Sequence, residues 1–151
     1  MRHTRAEVTE RTIREFELLD GLLAGLTPAD WARPLARSET DDPWTVKDAV
    51  AHIVHWKADT ARRARHGPRP VEERGLDTAA GNHLVYVRWR DRSPQAVLDW
   101  HRAVQADVLE ALRAAPDAWF SGREHAADWP YDLVGHSTSH RLRDIRRTLG
   151  S

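Results

Sequence analysis

Apolar side chains recur at helical spacing along four long stretches of the chain, each bounded by capping residues, Gly or Pro. The predicted long helices cover about residues 4–24, 45–66, 93–115 and 131–149. A shorter helix is predicted over residues 77–90, although the β propensity of residues 84–87 leaves a strand as the alternative. The pattern therefore predicts a single domain over residues 1–151. Its fold is an all-α, antiparallel four-helix bundle with a short extra helix before the third long helix.

The last predicted helix has its apolar and histidine positions on different faces. At about 100° per residue, one face carries Val134, Thr138, Leu142, Ile145 and Leu149. His136 and His140 lie well round from that face. Either a second cavity or a subunit contact covers the two histidines, or they are solvated. A homodimer is one way to satisfy this pattern.

The second helix begins with a strong start signal. Thr45 is a suitable N-cap, and Asp48, three residues later, can complete a capping box. Val46 and Ile53 belong to its apolar face, and His52 lies on the neighbouring polar stripe. An imidazole placed one to two turns into a firmly started helix is well suited to chemistry that requires a fixed group.

Histidine spacing suggests a metal site. His136 and His140 are four residues apart and share a helix face, so both can bind one divalent ion, such as Zn, Ni or Fe. His52 is the obvious third ligand, and three ligands would leave a position open for water or substrate. With nine histidines in the chain, chance pairs are also expected.

Other polar and aromatic residues have a functional and a structural interpretation. Tyr86 and Asp48 could assist proton transfer. Tyr86 could equally be a core residue with a satisfied hydroxyl, and Asp48 a helix cap. The candidate pocket residues are Trp56, Asn82, His83 and Trp89. Core packing is the simpler interpretation of the tryptophans. The C-terminal arginines at 141, 143, 146 and 147 are most simply a solvated face near a helix end.

Composition narrows the function classes. Hydrophobic residues make up 40% of the chain and the net charge is zero, so charge gives no reason to expect nucleic acid or a membrane as partner. The absence of cysteine excludes disulfides, zinc–thiolate sites and a cysteine nucleophile. No secretory signal or membrane-length apolar run is visible, so a cytoplasmic protein with a small-molecule substrate is expected.

The segment from Trp44 to His52, Trp-Thr-Val-Lys-Asp-Ala-Val-Ala-His, resembles the start of the second helix in the DinB-like superfamily. That superfamily also includes the N-terminal domain of mycothiol-dependent maleylpyruvate isomerase. The closest likeness is to its ClbS/DfsB group of four-helix-bundle proteins. Further segments similar to that group are residues 82–86 with 89–93, residues 118–120 with Trp129, and residues 137–140 with 145–147.

The resemblance implies a helical bundle with a specific ligand set. In metal-binding members, one histidine of the second helix and a His-x-x-x-His of the last helix are the ligands. These correspond to His52, His136 and His140 in this sequence. Known activities include thiol-dependent isomerisation and transfer, and protection against a reactive cyclopropane-bearing metabolite.

Three functions are therefore open. The main hypothesis is an enzyme that acts on a small electrophilic metabolite, by hydrolytic detoxification or self-resistance. Water activated by an ion at the three histidines, or His52 or His140 as general base, would serve it. The alternative is a metal-dependent transferase or isomerase that uses a low-molecular-weight, mycothiol-type thiol held by arginines. A third possibility is a non-catalytic protein that sequesters a hydrophobic ligand among its tryptophans.

Overall fold

A computed structural model describes residues 3–121 and 132–150, and these are largely helical. The α-helices are α1 (Arg5–Ala24), α2 (Pro28–Trp31), α3 (Val46–Ala64), α4 (Thr78–Trp89), α5 (Pro94–Ala114), α6 (Asp117–Phe120), α7 (Gly135–His140) and α8 (Arg147–Leu149). A 3₁₀ turn, Val71–Glu73, precedes α4, and a π-helical segment, Arg141–Arg146, joins α7 to α8. We call residues 135–149 the last helix. Because the described residues include no strand, the predicted all-α bundle is confirmed.

Helix α3 lies at the centre of the bundle. It buries 12 of its 19 residues and packs against α5, α4 and the last helix. Its Val46, Val50, Ile53 and Val54 are fully buried in the hydrophobic core. A buried side chain on α3 therefore lies among neighbouring helices.

Side-chain caps explain where several helices begin. Thr4, Thr27, Asp77 and Ser93 each accept a hydrogen bond from a backbone N–H of the following first turn.

Residues 84–87 lie inside α4, so the strand alternative for that segment is wrong. None of the helices in the described part of the chain combines the length and apolar character needed to cross a membrane.

The predicted apolar face of the last helix is wrong in part. Leu142 is 44% exposed, while His136 and His140 are buried together with Ile145. The histidine side of this helix faces α3 and the interior of the bundle, so it is not solvated. Helical order begins at Gly135, and the predicted start at residue 131 lies outside the described residues, as does Trp129.

Candidate metal centre

The start of α3 fixes His52. The Asp48 carboxylate accepts hydrogen bonds from the backbone N–H of Thr45 at 2.8 Å and from its hydroxyl at 3.0 Å. This cap defines the first turn, and His52 follows Asp48 by one further turn on the same face. The indole of Trp44 lies against the imidazole of His52, with ring centroids 4.8 Å apart. The cap therefore sets the position of His52 along α3, and the contact with Trp44 orients its imidazole ring.

Three histidines from distant parts of the chain meet between α3 and the last helix. His52 Nε2 lies 3.0 Å from His136 Nε2. The ring of His140 lies 4.7 Å from that of His52 and 4.6 Å from that of His136, measured between centroids. One ring nitrogen from each residue falls within 4.8 Å of the other two. This is the convergence of donors that a single bound ion needs.

Burial keeps two of these histidines neutral. Loss of solvent, reinforced by neighbouring histidines, lowers the pKa of His52 to about 2. Burial, together with His140 and Lys57, lowers the pKa of His136 to about 3. Both rings are therefore neutral at neutral pH, which is the protonation state that a metal ligand requires.

His140 is oriented by a carboxylate. Its Nδ1 lies 2.6 Å from Asp144 Oδ2, one turn further along the last helix, and both side chains are buried. Asp144 in turn faces Arg37 at 3.3 Å. Because Nδ1 of His140 is engaged, its Nε2 is the atom left to face the other histidines, as in a carboxylate–histidine–metal arrangement.

A buried ion pair lies beside the histidines and ties α1 to the last helix. Glu15 accepts hydrogen bonds from Arg141 Nε at 2.9 Å and from the hydroxyls of Ser137 at 3.1 Å and Thr138 at 2.9 Å. Arg141 is thus buried and paired, so its predicted place on a solvated face is wrong. Arg143, Arg146 and Arg147 are exposed, as expected of a solvated helix side.

The donor set fits a divalent transition metal. Three imidazoles suit zinc, nickel and iron better than the hard cations, which prefer oxygen. The site also has a buried orienting carboxylate and two histidines that burial keeps neutral, features that metal-binding histidines usually show. A three-histidine set leaves at least one coordination position for a further ligand.

The remaining predicted site residues have structural partners of their own. Trp56 Nε1 donates to Asn82 Oδ1 at 2.9 Å, and Trp89 stacks on Trp100 with centroids 4.1 Å apart. His83 is exposed and lies 2.8 Å from Asp42. These contacts link the residues to each other and to neighbouring elements, not to the three histidines. The predicted pocket formed by Trp56, Asn82, His83 and Trp89 therefore stays a prediction.

Two predicted catalytic residues have other contacts. Asp48 is the cap of α3, and one of its carboxylate oxygens makes that cap. Tyr86 is half-buried, with its ring 6.5 Å from that of His83 and 6.0 Å from the guanidinium of Arg90. Nothing in these contacts relates Tyr86 to the histidine cluster.

Sequence reasoning missed three residues around the site: Asp144, Glu39 and Trp44 as a neighbour of His52. Asp144 continues the four-residue spacing of His136 and His140, so the same helix-face rule points to it. Glu39 lies in a loop, where no periodicity places a side chain.

Comparisons with known proteins bear on the fold and the family of this chain. A solved structure of an uncharacterised protein from Escherichia coli UTI89 has a TM-score of 0.63 and 17% identity, and the match covers 76% of this chain and 71% of that chain. At that identity the likeness shows the fold alone. Among curated proteins, none matches the sequence. The family model of the mycothiol maleylpyruvate isomerase N-terminal domain matches residues 13–145, a span that includes all three histidines. The chain therefore belongs to the family of the mycothiol maleylpyruvate isomerase N-terminal domain.

Proposed function

We propose that this protein is a metal-dependent enzyme that uses a low-molecular-weight thiol of the mycothiol type. It would either transfer that thiol to a small electrophilic metabolite or use it to isomerise such a metabolite. The observation that carries the proposal is the buried convergence of His52, His136 and His140 in a family named for a mycothiol-dependent reaction. A divalent ion bound there would favour the thiolate form of a coordinated thiol.

The chain's own residues would prepare the site. His52 and His136 stay unprotonated because they are buried, so they present lone pairs at neutral pH. Asp144 holds His140 in a single orientation through Nδ1. The Trp44 ring lies against His52, and the burial of all three histidines excludes bulk water from this side of the site.

Both reaction types balance with a thiol as the co-reactant. In transfer, the thiolate sulfur attacks an electrophilic carbon, a C–S bond forms, the leaving group departs with its electron pair, and the thiol proton passes to solvent. In isomerisation, the thiolate adds to an activated double bond to give an enolate, the resulting single bond rotates, and elimination expels the thiolate and restores the double bond. Neither type consumes an oxidant or reductant.

Hydrolytic detoxification stays the second candidate. The same three histidines would serve it, since a bound ion also lowers the pKa of water. Membership of the ClbS/DfsB group, from which the self-resistance role was inferred, rests on short sequence motifs alone.

Metal content and thiol dependence test the proposal. The protein, purified without a His-tag, should contain about one equivalent of metal by elemental analysis, and the His52→Ala and His136→Ala variants should lose it. His66→Asn is the matched control, because His66 is exposed and has a φ of 53°, a conformation that Asn tolerates.

Turnover would be measured with mycothiol and two probes, maleylpyruvate for isomerisation and monobromobimane for transfer. Metal-dependent turnover with thiol supports the proposal. Consumption of an electrophile at the same rate without thiol points to hydrolysis, and a metal-free protein whose histidine variants behave like the parent would overturn the metal site itself.

A further inference from the structure

One carboxylate beside the histidine cluster belongs to neither helix of the site. Glu39 lies in the loop between α2 and α3, and its Oε1 is 3.5 Å from His140 Nε2. That nitrogen is the one left to face His52 and His136, because Asp144 engages the other nitrogen of the ring. The carboxylate thus approaches the cluster at the atom that would bind the ion.

We propose that Glu39 is a fourth, exchangeable ligand of the metal held by His52, His136 and His140. The inference rests on the proposed metal site and adds a residue to it. Substrate thiol would displace this carboxylate from the ion, so Glu39 would close the site when no substrate is bound.

The observed spacing suits a common ligand sphere. Metal–nitrogen and metal–oxygen bonds of about 2.1 Å in a tetrahedral arrangement place neighbouring ligand atoms about 3.4 Å apart. The 3.5 Å between Glu39 and His140 matches that separation, and the 3.0 Å between His52 and His136 is slightly shorter. The carboxylate therefore already lies at ligand-to-ligand distance from one of the three nitrogens.

The loop holds Glu39 in place from both sides. Two residues before it, Arg37 faces Asp144 at 3.3 Å, so the loop is tied to the carboxylate that orients His140. Three residues after it, Asp42 lies 2.8 Å from His83 on α4. These two contacts, one on each side of Glu39, keep its part of the loop next to the cluster.

Charge and exposure distinguish Glu39 from the other carboxylates nearby. Asp144 and Glu15 each face an arginine, Arg37 and Arg141. Imidazole ligands are uncharged when they bind an ion, so three of them leave the charge of a divalent ion uncompensated, and Glu39 would supply one negative charge. Its side chain is 40% exposed whereas that of His140 is 5% exposed, so the carboxylate can move into solvent when a thiol arrives.

Metal affinity and the ligand field of bound cobalt test this assignment. Glu39→Gln keeps the side-chain shape and removes the charged donor. Competition with a chromophoric chelator should show zinc affinity about 10–100-fold weaker than in the parent protein. The visible bands of the Co²⁺-loaded variant should shift in position and intensity, because these bands report the donor set and coordination number.

Asp41→Asn is the matched control. Asp41 is exposed in the same loop, so this variant removes the same charge two residues away, and it should keep the parent's affinity and spectrum. Thermal unfolding of all three metal-free proteins checks that the loop variants fold alike.

The outcomes separate the two proposals. Parent-like affinity and spectrum in Glu39→Gln would overturn the ligand assignment while the three-histidine site stands. Weaker affinity with an unchanged cobalt spectrum would also overturn it, because the carboxylate would then act only through space. Absence of histidine-dependent metal binding in the parent protein would overturn the proposed function and this inference together.

Discussion

Lys57 is a buried cation that weakens the fold. Its side chain is 2% exposed, and Nζ has no hydrogen-bond partner within the described residues. Burial lowers the pKa of Lys57 from 10.5 to about 8, although Glu15 opposes the shift. Since the folded protein binds this proton less tightly than the unfolded chain, the charged lysine destabilises the fold at neutral pH.

Lys57→Met should therefore raise the free energy of unfolding at pH 7, by up to roughly 3 kcal/mol. Glu15 stays paired with Arg141, so the substitution leaves no unpaired carboxylate. Urea unfolding would measure the gain, which should shrink between about pH 8 and pH 10.5 as the folded and then the unfolded lysine lose their protons. A gain independent of pH would show that packing, not charge, is responsible.

Burial of His101 predicts that the fold loses stability in acid. Its ring stacks on Phe16 with centroids 4.6 Å apart, and burial, helped by Lys57 and partly offset by Asp20, lowers the pKa of His101 to about 4. Because the unfolded histidine takes up a proton near pH 6.5, this neutral ring contributes stability above that pH and loses it as pH falls toward 4. Its share is about 1.4 kcal/mol per pH unit.

His101→Gln should reduce the dependence of unfolding free energy on pH between 6.5 and 4 by about that slope. Urea titrations at several pH values would compare the variant with the parent protein. An unchanged slope would mean that His101 is protonated in the folded state. His66→Asn, at an exposed site, is the control for a general loss of histidine.

At the residue scale, the sequence predicted which histidines meet but not what surrounds them. His136 and His140 share a helix face by spacing, and a strong cap fixed the height of His52. Asp144 follows the same four-residue spacing, but its role as the partner of His140 depends on the burial of both side chains, which the sequence did not predict. Glu39 depends on the path of a loop, which local propensity does not determine.

At the scale of the element, the last helix shows why hydrophobic periodicity misplaced a face. Its buried positions include His136, Ser137, His140, Arg141 and Asp144, and only Ile145 among its fully buried residues is a large aliphatic. Each polar member has a partner elsewhere, so burial is tolerated. Hydrophobic periodicity assumes that buried positions are apolar, so it cannot identify this face. The π-helical segment also changes which residues of the last helix share a face.

The cap of α3 is the element-scale feature that carries the site. Asp48→Ala removes the acceptor for the Thr45 N–H, and we expect a loss of about 1 kcal/mol in unfolding free energy. Asp48→Asn, which keeps an acceptor oxygen, should lose less. Zinc affinity should fall in the alanine variant as well, because a frayed first turn releases His52. Equal stability of both variants with the parent protein would show that the cap is dispensable.

Asp30→Ala is the control for the loss of a capping carboxylate. Asp30 accepts from the Thr27 N–H at 3.0 Å in the same arrangement, but at the start of the four-residue α2. This variant should keep the parent's zinc affinity, since no histidine of the cluster lies on α2.

At the scale of the whole molecule, polar contacts join segments that are distant in sequence. The histidine cluster joins α3 to the last helix, and the Glu15–Arg141 pair joins α1 to the last helix. The all-helical class follows from repeated apolar spacing and caps, which are local signals. The docking of the last helix against α3 does not, because it depends on a polar interface whose partners come from three helices.

Metal binding should therefore stabilise the whole fold, not only the site. An ion that binds the folded chain at 100 times its Kd adds about 2.7 kcal/mol to the free energy of unfolding. For a chain of this size, that corresponds to a rise in Tm of roughly 5–10 °C. Each protein would be scanned by calorimetry with and without Zn²⁺, so that any change in intrinsic stability caused by a substitution cancels. The rise should disappear in His52→Ala and persist in His66→Asn. A rise of equal size in His52→Ala would place the ion elsewhere, and metal binding would then not connect α3 to the last helix.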